Sequence, residues 1–432
     1  MPRQKLKKPP KKKETTKKRG RPAKKQQEKE TPKKESTKFE IDYAKDVGSQ
    51  FIDHLHKAEP KIVKKLDNEV EEYLGCKRGF YSGLPTLDRI LGIRANSNFY
   101  LHPYGKMIEV YGPNGCGKTT YMFYLAAKVI ADGGIAYYVD WENKADPNWL
   151  YKTAWANFGL TEEQIKAHLV WVDAPCVEWF NVWIIQTMKA MIDMRIRLQN
   201  EITHLDGLKR KPDDYLERRQ NVLRAIQMPC IIINDSIAGM STEAEVKGEE
   251  TTTQYVAELA REFGRKLKRV RNYLRYVNGL MVFTNQERDV IGGIGYSKIR
   301  TPGGNAVKYL CDACIRIVRI NNLKRVRNKI ETFYGTEHQF ETKKNQLGIP
   351  PFHKTVLRML YDRGYFSFYS LIEACASVGL IKKVGSRYII ESGKLKFEFE
   401  ENACDEARDE IIKQYPTFEA ILHNIYQNFM RQ

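Results

Sequence analysis

Met107-Ile-Glu-Val-Tyr111, then Gly112-Pro113-Asn114-Gly115-Cys116-Gly117-Lys118-Thr119-Thr120, then the apolar run Tyr121–Ile130, is the stretch whose reading decides the fold. An apolar strand leads into a glycine-rich turn, and the turn opens a helix. The spacing G-x-x-x-x-G-K-T in that setting is the Walker A pattern, or P-loop. Glycines at 112, 115 and 117 let backbone N–H groups wrap phosphate oxygens at a helix N-terminus, where the dipole favours anions. Lys118 supplies a point charge to β and γ oxygens, and the Thr119 hydroxyl suits Mg²⁺. The pattern predicts an α/β fold with a mainly parallel sheet and a nucleotide at its carboxyl edge.

Three more apolar runs end in polar residues. Ile135–Val139 ends in Asp140-Trp141-Glu142, Cys230–Asn234 in Asp235-Ser236, and Leu280–Phe283 in Thr284-Asn285-Gln286. Polar groups just past buried parallel strands sit where such sheets bind ligands. Glu142 could orient and deprotonate an attacking water. Asp235 fits Walker B, holding Mg²⁺ through water, and the Gln286 amide can sense a γ-phosphate. Singly, each run is equally a plain buried strand with a polar end. Together with the P-loop they describe one pocket. The Leu-Ser-Gly-Gly-Gln signature of transporter-type ATPases does not occur.

The composition sets outer limits. A chain of 432 residues, 42% of them hydrophobic, exceeds one compact core and predicts two or three domains. No run reaches the roughly 18 apolar residues of a membrane span, and the N-terminus lacks the apolar core of a secretory signal. The eight cysteines show no disulfide spacing. The expectation is a soluble intracellular protein. Of the net charge of +19, residues 1–38 carry +13, from 17 Lys/Arg and 4 Glu. That segment has no aromatic residue and cannot bury enough surface to order itself. It reads as a solubility or import tail, or as a nucleic-acid arm that displaces counterions from phosphates. Within it, Arg19-Gly20-Arg21-Pro22 resembles an AT-hook, whose two arginines lie in a narrow A·T minor groove.

Over about residues 75–432 the chain resembles the RecA recombinase family. The resemblance is carried by Gly83-Leu-Pro-Thr-Leu87-Asp88-Arg-Ile-Leu91-Gly92 and by Glu109-Val-Tyr-Gly-Pro113. It continues through Asp140-Trp-Glu142, Asp146-Pro147-Asn148-Trp149, Asp235-Ser236 and Gly303-Gly304-Asn305-Ala306-Val307-Lys308. It implies that Gly112, Pro113, Asn114, Gly115, Cys116, Gly117, Lys118, Thr119 and Thr120 bind ATP. Thr119 and Asp235 then hold Mg²⁺, and Glu142 is the catalytic base, with Lys118 and Gln286 assisting. Asp146 and Trp149 hold the adenine. Arg327 and Lys329, in Arg327-Asn328-Lys329-Ile330, reach a neighbouring subunit's γ-phosphate. Two segments match DNA-binding loops: about Gly248–Tyr255, and Glu287–Thr301. In the second, Arg288 is placed as a phosphate contact and Ile291 as a wedge between base triplets. Lys298 and Arg300 are placed as further contacts.

The resemblance thus implies a DNA-dependent ATPase that forms filaments on single-stranded DNA and promotes homologous pairing and strand exchange. Its partners are single- and double-stranded DNA and further copies of the chain, with no membrane. Its place is the cytoplasm, nucleoid-associated, or the host cytoplasm if viral. Two alternatives stand: an ATP-switched DNA-binding scaffold or repair accessory, and a hexameric helicase of the same core fold.

The chain departs from the family in several places, as a divergent bacterial or phage-like member does. Asn114-Gly115-Cys116 stands where bacterial members carry an acidic residue and serines. A helical insertion is expected near 194–224. The hairpin at Ile320–Arg327 reads as short, and Glu331–Pro350 as an extra surface insertion. Phe352–Leu360 and Ser370–Leu380 read as helical, leading to a strand hairpin over Ile381–Ile390. Lys382, Lys383 and Arg387 there make a duplex-capturing patch or a solvated face. Trp171, Trp179 and Trp183 read as core, and the lone pair Cys311-x-x-Cys314 is set aside as a metal site. The expected organisation is a disordered basic tail (1–38), an N-terminal helical segment (39–74), a RecA-like P-loop core (75–333) and a small C-terminal α/β lobe (334–432).

Overall fold

A computed structural model describes residues 79–431, apart from 92, 95–99, 209–210, 249–258, 260, 263–265, 290–298, 303, 328 and 393–394. The basic tail, with Arg19 and Arg21, and the segment Phe39–Leu74 lie outside the described residues.

The central sheet has nine strands: β1 Lys106–Gly112, β2 Ile135–Asp140, β3 Leu169–Val172, β4 Cys230–Asp235, β5 Gly279–Gln286, β6 Ala313–Arg327, β7 Ile330–Asn345, β8 Lys354–Leu360 and β9 Gly364–Tyr365. Their spatial order is β9-β8-β7-β6-β1-β5-β4-β2-β3. From β6 to β3 every neighbouring pair is parallel, and β7, β8 and β9 add on antiparallel. Parallel strands buried on both faces read as continuous apolar runs, and β4 is buried along its whole length.

Strand alternation sends side chains into two cores. Ile231 and Ile233 of β4 join Val110 of β1 and Val282 of β5 against α2 (Lys118–Ala131). Cys230 and Ile232 face the other way, with Met281 and Phe283, against α5 (Val177–Gly207) and α7 (Lys268–Leu274). Each fully buried Ile or Phe contributes about 1.5–3 kcal/mol, so the strand that ends in Asp235 is fixed from both sides. Helices α1 (Pro85–Leu91), α3 (Pro147–Phe158), α4 (Glu162–His168), α6 (Tyr215–Gln227) and α8 (Gly304–Leu310) complete the layers.

Several expectations are corrected. Glu331–Asn345 is not a surface insertion: it lies in β7, hydrogen-bonded to β6 on one side and β8 on the other, with His338, Phe340 and Thr342 buried. The hairpin is not short, since its arms β6 and β7 run 15 and 16 residues. Lys354–Leu360 is strand β8, not helix; adjacent β-branched Thr355 and Val356 suit a pleated surface better than a helix. Position 333/334 falls inside β7. Trp171 and Trp179 are 38% and 42% exposed. Trp171 sits on β3, the edge strand, with no further strand beyond it among the described residues, and its ring stacks on Tyr138. Trp179 stacks on Trp183 beside the buried Phe180–Ile184–Met188 row of α5.

The expected insertion is helical, in α5 and α6. Buried Arg195 ties it down by donating to Met228 O at 2.6 Å and Val277 O at 3.0 Å. The C-terminal lobe consists of α9 (Ser367–Ser377), the antiparallel sheet β10 (Lys382–Val384), β11 (Arg387–Ser392) and β12 (Leu395–Glu400), then α10 (Cys404–Gln414) and α11 (Phe418–Arg431). Its own core includes Phe368, Leu371, Ile372, Tyr388, Ile411 and Leu422. Lys383 and Arg387 do not stand free: Lys383 pairs with Glu373 and Glu401, and Arg387 with Glu398 and Glu400. No helix among the described residues is long and apolar enough to cross a membrane.

Candidate functional site

The P-loop is shaped by contacts that only glycine permits. A Cβ on Gly112 would lie 2.1 Å from Ile317 O of β6. Gly117 is left-handed at φ 81°, and its Cβ would meet His338 Cε1 and Tyr365 OH at 2.6 Å each. Helix α2 starts at the next residue, so its unpaired N–H groups face the loop. Lys118 Nζ donates to Gly112 O at 3.0 Å and Pro113 O at 2.7 Å, and contacts Cys116 Sγ at 3.7 Å. Cys116 points inward and is buried, while Asn114 and Gly115 are exposed at the mouth. Burial, more than the nearby Lys118 cation offsets, pushes the Cys116 thiol pKa up.

The strand ends close on this loop. Asn114, Gly115, Lys118, Thr119, Asp140, Glu142, Lys144, Ala145, Asp235, Ser236 and Gln286 line one cavity. Asp235 accepts hydrogen bonds from Thr119 at 2.7 Å, from Tyr138 OH at 2.7 Å, and from Thr284. Burial and the facing Asp235 raise the Tyr138 pKa, keeping it a donor. The Asp235–Ser236 peptide is cis. Among the described residues no three His, Cys, Asp or Glu side chains come together so as to hold a metal ion by themselves. A cation here would therefore draw on the Thr119 hydroxyl, Asp235 and a ligand's phosphate oxygens. The 2.7 Å Thr119–Asp235 approach fits Mg²⁺, a hard cation that takes few protein oxygens.

Glu142 sits across the cavity. One carboxylate oxygen accepts from Gln286 Nε2 at 2.8 Å and from Ser236 Oγ; the other accepts from Lys144 Nζ at 2.8 Å. Partial burial works to raise its pKa, but the bonds from Lys144, Ser236 and Gln286 outweigh it and hold the pKa below the ordinary 4.5. Glu142 is thus ionised at neutral pH and aimed by three donors. Asp140 orients the segment by accepting from the backbone N–H of Glu142 at 3.2 Å and Ala145 at 2.9 Å.

Asp146 caps α3, accepting from Asn148 N at 2.9 Å, and is exposed. Trp149, one turn on, donates its indole N–H to Thr120 Oγ1 at 3.1 Å, so its ring is tethered to α2. Residues Asn143-Lys144-Ala145-Asp146 spell Asn-Lys-x-Asp, the guanine-reading pattern of GTPases. Here Lys144 is engaged by Glu142 and Asp146 by the helix start.

Past Gln286 the chain enters the second expected DNA loop. Asn285 Nδ2 donates to Glu109 Oε1 at 2.8 Å and Pro302 O at 3.0 Å, clamping both ends of the loop. Arg288 and Asp289 pair with Arg300 and Ile299 in a short antiparallel neck. Ile291 and Lys298 lie outside the described residues, as does Tyr255 of the first loop. Gly248 is exposed at φ 73°, just past the helix Glu243–Val246. Arg327 pairs through its backbone with Ile330 at the tip of the β6–β7 hairpin, and Lys329 is exposed in that turn at φ 67°.

The sequence reading missed Tyr138, Thr284, Ser236 and Lys144 as partners of the two carboxylates. For Tyr138 and Thr284 the available signal was a hydroxyl inside an otherwise apolar strand, because a buried O–H needs an acceptor.

The RecA N-terminal domain pattern matches residues 78–157 and 211–366, which is more than half of the chain. The unmatched interval 158–210 contains β3 and all of α5 and overlaps the insertion expected near 194–224. The protein RecA of Borrelia duttonii (strain Ly) is 25% identical over 371 residues, covering 86% of this chain and 84% of its own. That of Borrelia hermsii (strain HS1 / DAH) is 26% identical over 314 residues, 73% of each chain. That of Legionella pneumophila (strain Corby) is 26% identical over 296 residues, 68% of this chain and 70% of its own.

Proposed function

The chain belongs to the RecA family, and from that premise we propose that it is an ATP-dependent DNA recombinase. It binds ATP and Mg²⁺ at the P-loop, assembles as a filament on single-stranded DNA, hydrolyses ATP in response to DNA, and promotes homologous pairing and strand exchange. The carrying observation is the convergence of Lys118, Thr119, Asp235, Glu142 and Gln286 on one cavity, with Gln286 the last residue of β5. The residue that touches the hydrolytic carboxylate is also next to the DNA loop.

Each group has a derived task. Backbone N–H groups at the start of α2 and the Lys118 cation hold the phosphates. Thr119 and Asp235 would hold Mg²⁺, which when bound would draw charge from the phosphate oxygens. Phosphoryl transfer needs little bond-making help, so positioning dominates. Glu142, aimed by its three donors, orients the attacking water and takes its proton. Trp149 and Asp146 lie at the start of α3 to receive the base. Lys329 and Arg327, at the hairpin tip, reach the next subunit's phosphates.

Strand exchange between a circular single strand and a homologous linear duplex, with ATP and Mg²⁺, tests the reading. Joint molecules and helical filaments by negative-stain imaging are expected. DNA-stimulated hydrolysis without joint molecules would leave a scaffold or accessory role, and closed rings would leave a helicase.

A further inference from the structure

Arg316 lies on β6 opposite Tyr111, the last residue before the P-loop. Its guanidinium forks onto Glu287: Nη2 meets Oε2 at 3.0 Å, and Nε meets Oε1. The Glu287 side chain is 8% exposed and Arg316 26%, so water screens the pair little. Glu287 is held a second way, since its backbone N–H donates at 3.1 Å to Gly112 O. That same carbonyl takes Lys118 Nζ at 3.0 Å. One residue on, Arg288 begins the neck of the second loop. In the other direction β6 continues to Arg327 at the hairpin tip. Neither Arg316 nor Glu287 lines the nucleotide cavity.

From this junction we infer that Arg316 is a positioning residue that couples the second loop to ATP turnover. The inference rests on the reading of that loop as a DNA-binding loop. A carboxylate at the root of a phosphate-gripping loop repels DNA unless it is neutralised and turned away. The Arg316 fork does both, and a bidentate pair also fixes orientation. With the pair intact, a pull on the neck by DNA is passed through Glu287 to Gly112, and through it to Lys118. With the pair broken, the loop root swings on its backbone bond alone.

The test uses the full chain and four variants: Arg316→Ala, Arg316→Lys, Glu287→Gln, and the exchange Glu287→Arg with Arg316→Glu. Phosphate release from ATP is followed without DNA and across a titration of single-stranded DNA. For Arg316→Ala the DNA-free rate should stay within about twofold while the DNA-stimulated rate falls about tenfold, inside the usual range of coupling between sites. Glu287→Gln, nearly unchanged in volume, should likewise lose DNA stimulation, because an amide cannot take the charged fork. Arg316→Lys should recover little, because an ammonium cannot reproduce the fork. The exchange should recover most of the stimulation. Equal losses with and without DNA, no loss in either, or an exchange no better than the single variants would overturn the coupling role. A wild-type chain that single-stranded DNA does not stimulate would instead sink the DNA reading of the loop.

Discussion

Gln286 Nε2 stands 2.8 Å from Glu142 Oε1, so the strand end that opens the second loop holds the carboxylate that faces the P-loop. With Ser236 and Lys144 as further donors, Glu142 has no freedom to choose its direction. Glu142→Gln keeps the shape and removes the charge. Nucleotide binding should persist, followed with a fluorescent ATP analogue. Turnover should fall by about 10²–10⁴, the usual loss for a general base. Near-normal phosphate release would show that another group directs the water.

Gly117 leaves no space for a methyl group. Gly117→Ala combines a left-handed φ of 81° with approaches of 2.6 Å to His338 and Tyr365. The conformation alone costs about 1–2 kcal/mol, and the rigid rings add to it. Expected outcomes are a lower thermal midpoint and lost nucleotide binding, measured in the same preparation. A variant that binds ATP normally would refute the packing argument.

His338 makes stability depend on pH. It is buried between Thr336 and Tyr365, and burial, with Arg319 adding, pushes its pKa down to about 4. The unfolded chain binds a proton at about pH 6.5. Between those values the unfolded state holds more protons, so stability falls as pH drops from about 6.5 towards 4, by up to about 3 kcal/mol. Thermal midpoints at pH 7.5 and 5.5 should differ more for the wild type than for His338→Gln. Equal differences would remove His338 as the source.

Arg195 holds the α5 insertion to two backbone carbonyls, Met228 O and Val277 O. Arg195→Met keeps the apolar stem and strands both acceptors, each at about 1–3 kcal/mol. The denaturation midpoint should drop clearly while nucleotide affinity holds, because neither carbonyl touches the cavity. An unchanged midpoint would mean that α5 is held by its apolar face alone.

Lys329 sits exposed in the hairpin turn. If it completes a neighbour's pocket, Lys329→Ala should bind nucleotide normally as a single subunit but lose ATP-induced assembly. Sedimentation with and without ATP reads both. Normal assembly with weakened DNA binding would move Lys329 from the subunit interface to the DNA.

The local chemistry was legible along the chain because it is contiguous. The P-loop needs its glycines, lysine and threonine at one fixed spacing, and each strand end carries its polar residue directly after an apolar run. Hence Lys118, Thr119, Asp235, Glu142 and Gln286 could be named from sequence, and the structure brings them to one cavity. Long-range pairing was not legible. Glu331–Asn345 is polar enough to read as surface, yet it is an interior strand. Its partners, β6 and β8, supply the hydrogen bonds and cover that no local pattern announces. The same holds for Tyr138 and Thr284 on Asp235, and for Arg316 on Glu287. Sequence sets which residues can bind a phosphate or accept a proton. Which donor meets which carboxylate is set by the register of parallel strands, because that register puts residues far apart in the chain within hydrogen-bond reach.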